Sequence, residues 1–130
     1  MRVVFDSNIF ISAFVFPGSQ AEKAMLRIID GPDRLLVSKE IIDEVLRVLA
    51  SKFARNREAI SYTAVLMADL GELVSTSRKI AILADEPDNR ILECSVAGHA
   101  ELIVTGDRGM LGLQEFEGVR IIRLAEYITE

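Results

Sequence analysis

Residues 100–107 read AELIVTGD, in which a short apolar run is followed by a glycine and an acid. The residues from Leu102 to Val104 predict a buried β-strand, because the run is short and ends at a residue that breaks regular structure. Asp107 follows this strand, so its carboxylate lies just beyond the strand's carboxyl end. Ligands bind at this edge in open parallel sheets. Asp107 is therefore a candidate functional residue.

The N-terminal sequence repeats this arrangement. Residues 2–8 read RVVFDSN, so the apolar run that ends at Phe5 is followed directly by Asp6. The pattern predicts a second strand with an acid at its carboxyl end. Two parallel strands of one sheet would bring Asp6 and Asp107 to the same edge.

The composition is that of one folded domain. The chain has 130 residues, of which 50% are hydrophobic, enough to bury a single core. No apolar run approaches the roughly 18 residues that a membrane span requires, and the first residues lack the pattern of a secretory signal. Cys94 is the only cysteine, which excludes a disulfide framework or a zinc site built from cysteines. We therefore expect a cytoplasmic protein with no membrane segment.

The net charge of the chain is −5. This value argues against a protein that coats nucleic acids, since such proteins are normally basic. It is compatible with an enzyme whose acidic site contacts phosphate through metal ions, because the site itself then supplies part of the negative charge.

Runs with the period of strands alternate with runs that have the period of helices. The predicted strands are at 2–5, 35–37, 73–74, 102–105 and 119–122. The predicted helices are at 7–14, 20–30, 38–53, 56–71, 88–98 and 124–129, with a short helix or turn between 109 and 116. Residues 78–85 have no clear period. The alternation predicts a three-layer α/β/α sandwich around a parallel sheet of about five strands.

Each acid at a strand end also has a purely structural explanation. Asp6, Asp88 and Asp107 all precede predicted helices. Aspartate is a preferred N-cap, because its carboxylate accepts hydrogen bonds from the first free amides of a helix. Taken one at a time, these residues do not distinguish a cap from a functional group.

Glu44 is harder to explain as a surface residue. It lies three residues after Ile41 and four before Val48, so it shares the apolar stripe of its helix. A glutamate that faces inward is unfavourable unless it is paired or binds a cation. The alternative is a partly exposed glutamate at the border of the stripe. Glu40, one turn earlier, is the less favoured candidate.

Four acids from separate segments are expected to meet at one edge of the sheet: Asp6, Glu44, Asp88 and Asp107. Ionised carboxylates within several ångströms of one another repel, which raises their pKa values. A divalent cation removes this repulsion, and oxygen ligands without histidine or cysteine favour Mg²⁺ or Mn²⁺ over zinc. The convergence of these residues, more than any one of them, predicts a metal centre.

Four motifs together resemble a PIN domain, and in particular the VapC-like toxin components of prokaryotic toxin–antitoxin systems. They are Asp6-Ser7-Asn8 after the first strand, Glu44 within residues 40–46, DEPDN at residues 85–89, and VTGD at residues 104–107. Each motif is weak alone, but their order and spacing together are specific. The resemblance extends from Arg2 to the last predicted helix.

The resemblance implies that residues 1–130 form a single PIN-like nuclease domain. It implies a ribonuclease that hydrolyses RNA phosphodiester bonds with Mg²⁺ or Mn²⁺, in which four acids form the catalytic site and bind the metal: Asp6, Glu44, Asp88 and Asp107. It also implies that Thr105 supports the site and that Asn8 and Asp85 are accessory polar residues. Glu86-Pro87 departs from the short linker that relatives often have at this position. A small antitoxin protein and a second copy of the chain, in a homodimer, are the implied partners.

RNA binding requires positive charge. Arg108 adjoins Asp107 and is our predicted contact to RNA phosphates, a kind of contact that positions RNA without reading its sequence. Four more cations cluster near one end of the long helix and are candidates for phosphate contacts: Arg47, Lys52, Arg55 and Arg57. For Lys52 and Arg55, an exposed helix end whose cations complement the helix dipole is at least an equally good explanation.

Other functions are compatible with parts of this pattern. A haloacid-dehalogenase-like phosphatase has an aspartate after its first strand, but it needs a second aspartate two residues later, where this chain has Asn8. A response-regulator receiver needs a phosphoacceptor aspartate after its central strand and a lysine after its last strand, and neither is evident. A PIN nuclease that processes RNA without a toxin role, or a PIN fold that binds partners without catalysis, also stays open.

Overall fold

The computed structural model describes residues 1–129, which form a six-stranded sheet and the helices around it. The strands are β1 (Arg2–Phe5), β2 (Arg34–Ser38), β3 (Glu72–Val74), β4 (Leu102–Val104), β5 (Glu115–Phe116) and β6 (Val119–Ile122). The helices are α1 (Ser7–Val15), α2 (Gln20–Asp30), α3 (Lys39–Lys52), α4 (Arg57–Leu70), α5 (Glu86–Ala97), α6 (Arg108–Leu111) and α7 (Leu124–Thr129).

The strand order is β3-β2-β1-β4-β6-β5, and all neighbours are parallel except β5 and β6. This confirms the predicted α/β fold with a central, mostly parallel sheet. The sequence did not predict β5, a two-residue strand that forms a hairpin with β6. Glu117 and Gly118 connect these strands with φ values of +48° and +87°, as a tight two-residue hairpin turn requires.

The direction of the chain through the sheet changes between β1 and β4. From β1 the chain continues to β2 and β3 on one side, and it later returns to β4 and β6 on the other side. The crevice beyond the carboxyl ends of two such strands is where open α/β sheets bind ligands. The amide of Asp6 donates to the carbonyl of Val104 over 3.0 Å, which joins the two strand ends at this crevice.

Helices cover both faces of the sheet. On one face, the ring of Phe5 contacts the rings of Phe10 in α1 and Tyr127 in α7, with centroid distances of 5.8 and 5.6 Å. On the other face, the end of α5 packs so closely that a Cβ on Gly98 would lie 2.8 Å from Leu36 Cδ1. The central strands are therefore buried on both sides, and the predicted three layers are confirmed.

The helices begin largely where their caps predict. Ser19, Ser38 and Asn56 each accept a hydrogen bond from an amide in the first turn of the helix that follows. The prediction for α5 was wrong by two residues, since the helix begins at Glu86, before Asp88. Proline in a first turn is tolerated because its missing amide has no helical partner there. Asp88 therefore lies inside the first turn and is not an N-cap.

Residues 75–85 contain neither helix nor strand, and α5 holds much of this segment in place. The buried side chain of Asn89 accepts from the amides of Ile82 and Leu83 and donates to the carbonyl of Leu83. Glu93, also buried, accepts from the amide of Ile80 over 2.9 Å. These bonds replace the backbone pairing that a strand or helix would supply.

Within residues 1–129, the helices are too short or too polar for any of them to cross a membrane.

Candidate functional site

Asp6 is fixed at the end of β1 by hydrogen bonds to both of its carboxylate oxygens. Oδ1 accepts from the amide of Asn8 over 3.1 Å, and Oδ2 accepts from the hydroxyl of Thr105 over 2.6 Å. The residue is only 3% exposed. Asp6 is thus an N-cap of α1, as its position predicts, and at the same time a buried acid at the crevice.

Thr105 connects Asp6 to the second strand end. Its hydroxyl oxygen also accepts from the amide of Asp107 over 3.0 Å. The carboxylate of Asp107 in turn accepts from the amide of Met110 over 2.9 Å and caps the short helix α6. The predicted supporting role of Thr105 therefore has a geometric basis, because one hydroxyl orders both acids.

Asp85 and Asp88 reach the same place from the beginning of α5. Asp85 is the N-cap of this helix, but its side chain makes no capping hydrogen bond. Asp88 lies one turn into the helix and is 7% exposed. An open cavity of about 300 Å³ lies between α5, the end of β1 and α3, and it is lined by Asp6, Ser7, Asn8, Glu44, Arg47, Val48, Lys52, Asp85, Pro87 and Asp88.

The carboxylates at this cavity disfavour one another's charge. Burial, followed by the charges of Asp6, Asp107 and Asp85, raises the pKa of Asp88 to about 7. Burial also raises the pKa of Asp6, and the charges of Asp107 and Asp85 add to this effect, while the hydrogen bonds from Thr105 and Asn8 oppose it. Acids from β1, β4 and α5 are therefore close enough to interact, as the convergence of the motifs predicts.

Glu44 lies on the side of the cavity that α3 forms, but it does not face inward with the buried stripe as the sequence predicted. The buried stripe of α3 consists of Ile41, Val45 and Leu49, and Glu44 lies at its border with 21% of its side chain exposed. Both of its carboxylate oxygens accept from Nη2 of Arg47 over 2.7 Å. The alternative of a partly exposed glutamate is therefore correct, and its charge is neutralised by an arginine.

Glu40 lies outside the acidic cavity. Its carboxylate accepts from the hydroxyl of Thr76 over 2.8 Å, and its side chain lines a neighbouring pocket with Glu44, Glu86 and Arg90. Its lower ranking among the candidate acids is consistent with this position.

The acids have the right chemistry for a hard divalent cation, but they are not arranged around one point. Across residues 1–129, no three aspartate, glutamate, histidine or cysteine side chains are grouped closely enough to hold a metal ion. The donors are nevertheless all oxygen atoms, and the raised pKa values show that their charges lack a counter-charge. A hard divalent cation would supply this charge. The chemistry of the donor set therefore fits such a cation, although the present arrangement of the side chains does not surround one point.

The predicted RNA contact lies beside Asp107. Arg108 is exposed at the start of α6, and neither Arg108 nor Asp107 is among the residues that line the cavity. Arg47 and Lys52 do line it, and for Lys52 the sequence is equally compatible with a role at the helix end. Sequence reasoning missed Asn89 and Glu93 altogether, although two polar residues four apart on an apolar helix face were a readable signal.

Fold and site together define an α/β protein with an acidic cavity at the switch point of a mostly parallel sheet. Residues 2–109 match the PIN domain family, and the chain belongs to this family. The PIN resemblance predicted from the motifs is therefore confirmed, and the class of protein is that of the PIN domains.

Two known proteins are similar to this chain. An uncharacterized protein from Methanocaldococcus jannaschii is 24% identical over 119 residues, which cover 88% of this chain and 76% of the relative. The crystal structure of VapBC2 from Rickettsia felis, bound to a DNA fragment from their promoter, contains a chain with a similar fold. The TM-score is 0.66 at 13% identity, over 95% of this chain and 98% of that chain. The likeness in fold to a VapBC protein agrees with the sequence motifs.

Proposed function

We propose that this chain is a metal-dependent ribonuclease that hydrolyses RNA phosphodiester bonds at the acidic cavity. The observation that carries the proposal is the crowding of Asp6, Asp85, Asp88 and Asp107 at one place, where burial and then the neighbouring charges raise the pKa of Asp88 to about 7. Uncompensated carboxylates at a switch point are unfavourable for folding, and such perturbed groups concentrate at functional sites. Membership of the PIN family supports the same reaction.

The proposed metal ligands are Asp6, Asp88 and Asp107, with Glu44 once Arg47 releases it. When held by these residues, a Mg²⁺ or Mn²⁺ ion would supply a water molecule of lowered pKa as the nucleophile and a positive charge to offset the charge on the leaving oxygen. Asp6 and Asp107 are best placed for direct contact, because the Thr105 hydroxyl holds one carboxylate and the backbone of the other. Thr105 is thus an orienting group behind the ligands.

Asn8 and Asp85 have accessory roles in this proposal. Both line the cavity, where Asn8 offers an amide to substrate and Asp85 adds negative charge beside Asp88. Arg108 remains a proposed contact to RNA outside the cavity, and Arg108→Ala with unaltered RNA affinity would remove it from the site.

We further propose that the chain is the toxin of a toxin–antitoxin pair and acts in the cytoplasm. The likeness in fold to a VapBC protein supports this proposal, and it implies a small antitoxin and self-association of the chain. A short reading frame of antitoxin size immediately upstream of the gene is expected. Expression of the chain alone should arrest growth, and co-expression of that upstream product should restore it. Unimpaired growth would favour an RNA-processing nuclease without a toxin role.

The test of catalysis compares matched substitutions. Asp6→Asn and Asp107→Asn should abolish the cleavage of single-stranded RNA in Mg²⁺ or Mn²⁺ while thermal unfolding stays cooperative. Asp43→Asn is the control, because Asp43 pairs with Lys39 on the exposed side of α3, and it should cleave as the unaltered chain does.

Three outcomes would contradict the proposal. They are full activity of both Asp6→Asn and Asp107→Asn, undiminished cleavage in EDTA, and no cleavage of any RNA by the unaltered chain with metal present. The last outcome would favour a PIN fold that binds partners without catalysis. Single-stranded DNA of the same sequence serves as the comparison for substrate class.

A further inference from the structure

Helix α3 presents charges of both signs to the acidic cavity. Glu44, Arg47 and Lys52 all line it. At 1.5 Å per residue, Arg47 lies about 4.5 Å and Lys52 about 12 Å beyond Glu44 along the helix axis. The positive charges of this wall thus begin beside the carboxylates and extend away from them in one direction.

The contacts of Arg47 allow it to exchange the Glu44 carboxylate for another anion. One nitrogen, Nη2, donates to both oxygens of Glu44 over 2.7 Å, while 64% of the arginine side chain stays exposed to solvent. An exposed pair of this kind contributes little to stability, because solvent screens it. A phosphate is an equally good partner for the guanidinium group, so Arg47 can exchange the carboxylate for a phosphate at little expense.

Lys52 completes the basic part of the wall. In the described part of the chain it has no ion-pair partner, in contrast to Arg47. An RNA strand that enters a cavity with four acids on a chain of net charge −5 needs local positive charge to offset the repulsion. These two side chains supply such charge inside the cavity.

We propose that Arg47 and Lys52 contact successive RNA phosphates on one side of the cleaved bond, and that Arg47 releases Glu44 when it does so. This inference rests on the proposed ribonuclease function. The RNA backbone then runs along α3, and the released Glu44 completes the set of metal ligands. Because such coupling is reciprocal, RNA tightens metal binding and metal tightens RNA binding.

The first measurement is RNA binding without catalysis. A fluorescent single-stranded oligoribonucleotide is titrated in EDTA with the Asp6→Asn chain, and anisotropy is recorded at several KCl concentrations. Arg47→Gln and Lys52→Gln in this background should each weaken binding by about threefold or more. Each should also reduce the slope of log Kd against log [KCl] by about 0.7, the value for one phosphate contact on a single strand.

Arg78→Gln is the matched control for the RNA measurement. Arg78 also holds a glutamate with two short hydrogen bonds, to Glu117 over 2.6 Å, but it lies outside the cavity. Like Arg47→Gln, the Arg78→Gln substitution removes one positive charge and one arginine–glutamate ion pair. It should leave the slope of log Kd against log [KCl] unchanged.

The second measurement is Mn²⁺ binding without RNA, by calorimetry on the chain with Asp6 intact. Arg47→Gln frees Glu44 and should tighten Mn²⁺ binding by more than Lys52→Gln does, although both remove one positive charge. Adding Glu44→Gln to Arg47→Gln should abolish this gain. Weaker RNA binding combined with tighter metal binding is not expected from a purely structural arginine.

The outcomes separate this inference from the function on which it rests. If the unaltered chain cleaves RNA while Arg47→Gln and Lys52→Gln bind RNA as the Asp6→Asn background does, the inference alone is wrong. It is also wrong if Arg78→Gln loses the same slope. If Arg47→Gln binds Mn²⁺ no more tightly than Lys52→Gln, the exchange of Glu44 is wrong. If the chain neither binds nor cleaves RNA, the inference and the proposed function both fall.

Discussion

Acidic residues at the amino ends of the strands (the amino edge) and at their carboxyl ends (the carboxyl edge) have pKa values shifted in opposite directions. At the amino edge, Asp33 precedes β2 and accepts from the hydroxyl of Tyr127 over 2.7 Å and from the amine of Met1 over 3.0 Å. Burial acts to raise its pKa, but these hydrogen bonds and the charges of the amine and Arg27 outweigh burial and lower it. At the carboxyl edge, the pKa values of Asp6 and Asp88 are raised.

Glu72 at the amino edge also has a lowered pKa. Glu72 begins β3 and binds Arg2 at the start of β1 over 2.7 Å, a hydrogen bond that lowers the pKa of the glutamate. The charged groups of this edge therefore favour folding at neutral pH. Those of the carboxyl edge oppose it, as is expected of acids that have the proposed role in binding a cation.

The largest expected effect comes from Asp88→Asn. The substitution removes a proposed ligand and should reduce Mn²⁺-dependent RNA cleavage by about 100-fold or more. It also removes a crowded charge, so the Tm at pH 8 should rise by about 3 °C. Asp43→Asn, at an exposed pair, should change neither quantity. A lower Tm for Asp88→Asn would mean that the acids of the carboxyl edge do not oppose folding.

Tyr127→Phe, at the amino edge, should have the opposite combination of effects to Asp88→Asn, namely lower stability and unchanged RNA cleavage. The tyrosine is 1% exposed, and its hydroxyl donates to a charged carboxylate, so the substitution should lower the free energy of unfolding by about 1–2 kcal/mol. RNA cleavage per folded molecule should not change. Tyr62→Phe, at a site 70% exposed, is the control in urea unfolding. A loss of activity greater than the loss of folded protein would contradict the separation of the edges.

Metal binding should depend on pH through Asp88. With a pKa of about 7, this carboxyl is mostly protonated at pH 5.5 and must lose its proton before it binds a cation. Mn²⁺ at ten times Kd should stabilise the chain by about 1.4 kcal/mol at pH 8, and the same concentration should stabilise it less at pH 5.5. Equal Tm shifts at the two pH values would exclude Asp88 as a ligand. In Asp88→Asn the pH difference should shrink.

The smallest effects are opposite slopes of stability against pH. The pKa of Asp33 is lowered in the folded state, so its contribution is present above its unfolded pKa and is lost as the pH falls through the folded value. The pKa of Asp88 is raised, so its contribution is gained as the pH falls below about 7 and lost as the pH rises. Neither slope should exceed about 1.4 kcal/mol per pH unit, the value for the binding of one proton.

Urea unfolding of the two variants between pH 3 and 9 isolates each slope. Asp33→Asn should flatten the stability curve below about pH 4, and Asp88→Asn should flatten it between about pH 4 and pH 7. The reverse assignment would show that the two edges do not differ in the way described.

The sequence predicted most of the fold because the signals were local. Strand and helix periods, together with caps such as Ser19 and Asn56, depend on neighbouring residues, and these predictions agree with the structure. The missed strand β5 has two residues, and its turn is Glu117-Gly118, which lacks the asparagine or aspartate that usually marks such a hairpin. The start of α5 lies two residues before the predicted one, because Pro87 is accommodated in the first turn of the helix.

The site was predictable where a residue's position on a strand decides its location. Asp6, Thr105 and Asp107 follow two neighbouring parallel strands, and the topology alone brings them together. The environment of Glu44 was not predictable, because its ion pair with Arg47 depends on side-chain rotamers.

The attachment of residues 80–83 to α5 has a mechanical consequence for the acids on that side of the cavity. Asn89 and Glu93 bind this segment to the helix, and the segment leads directly into Asp85, one turn before Asp88. A shift of α5 would therefore carry both carboxylates as one unit and preserve the gap between them. Adjustment around an ion of a different radius would instead come from the α3 side, by rotation of Glu44.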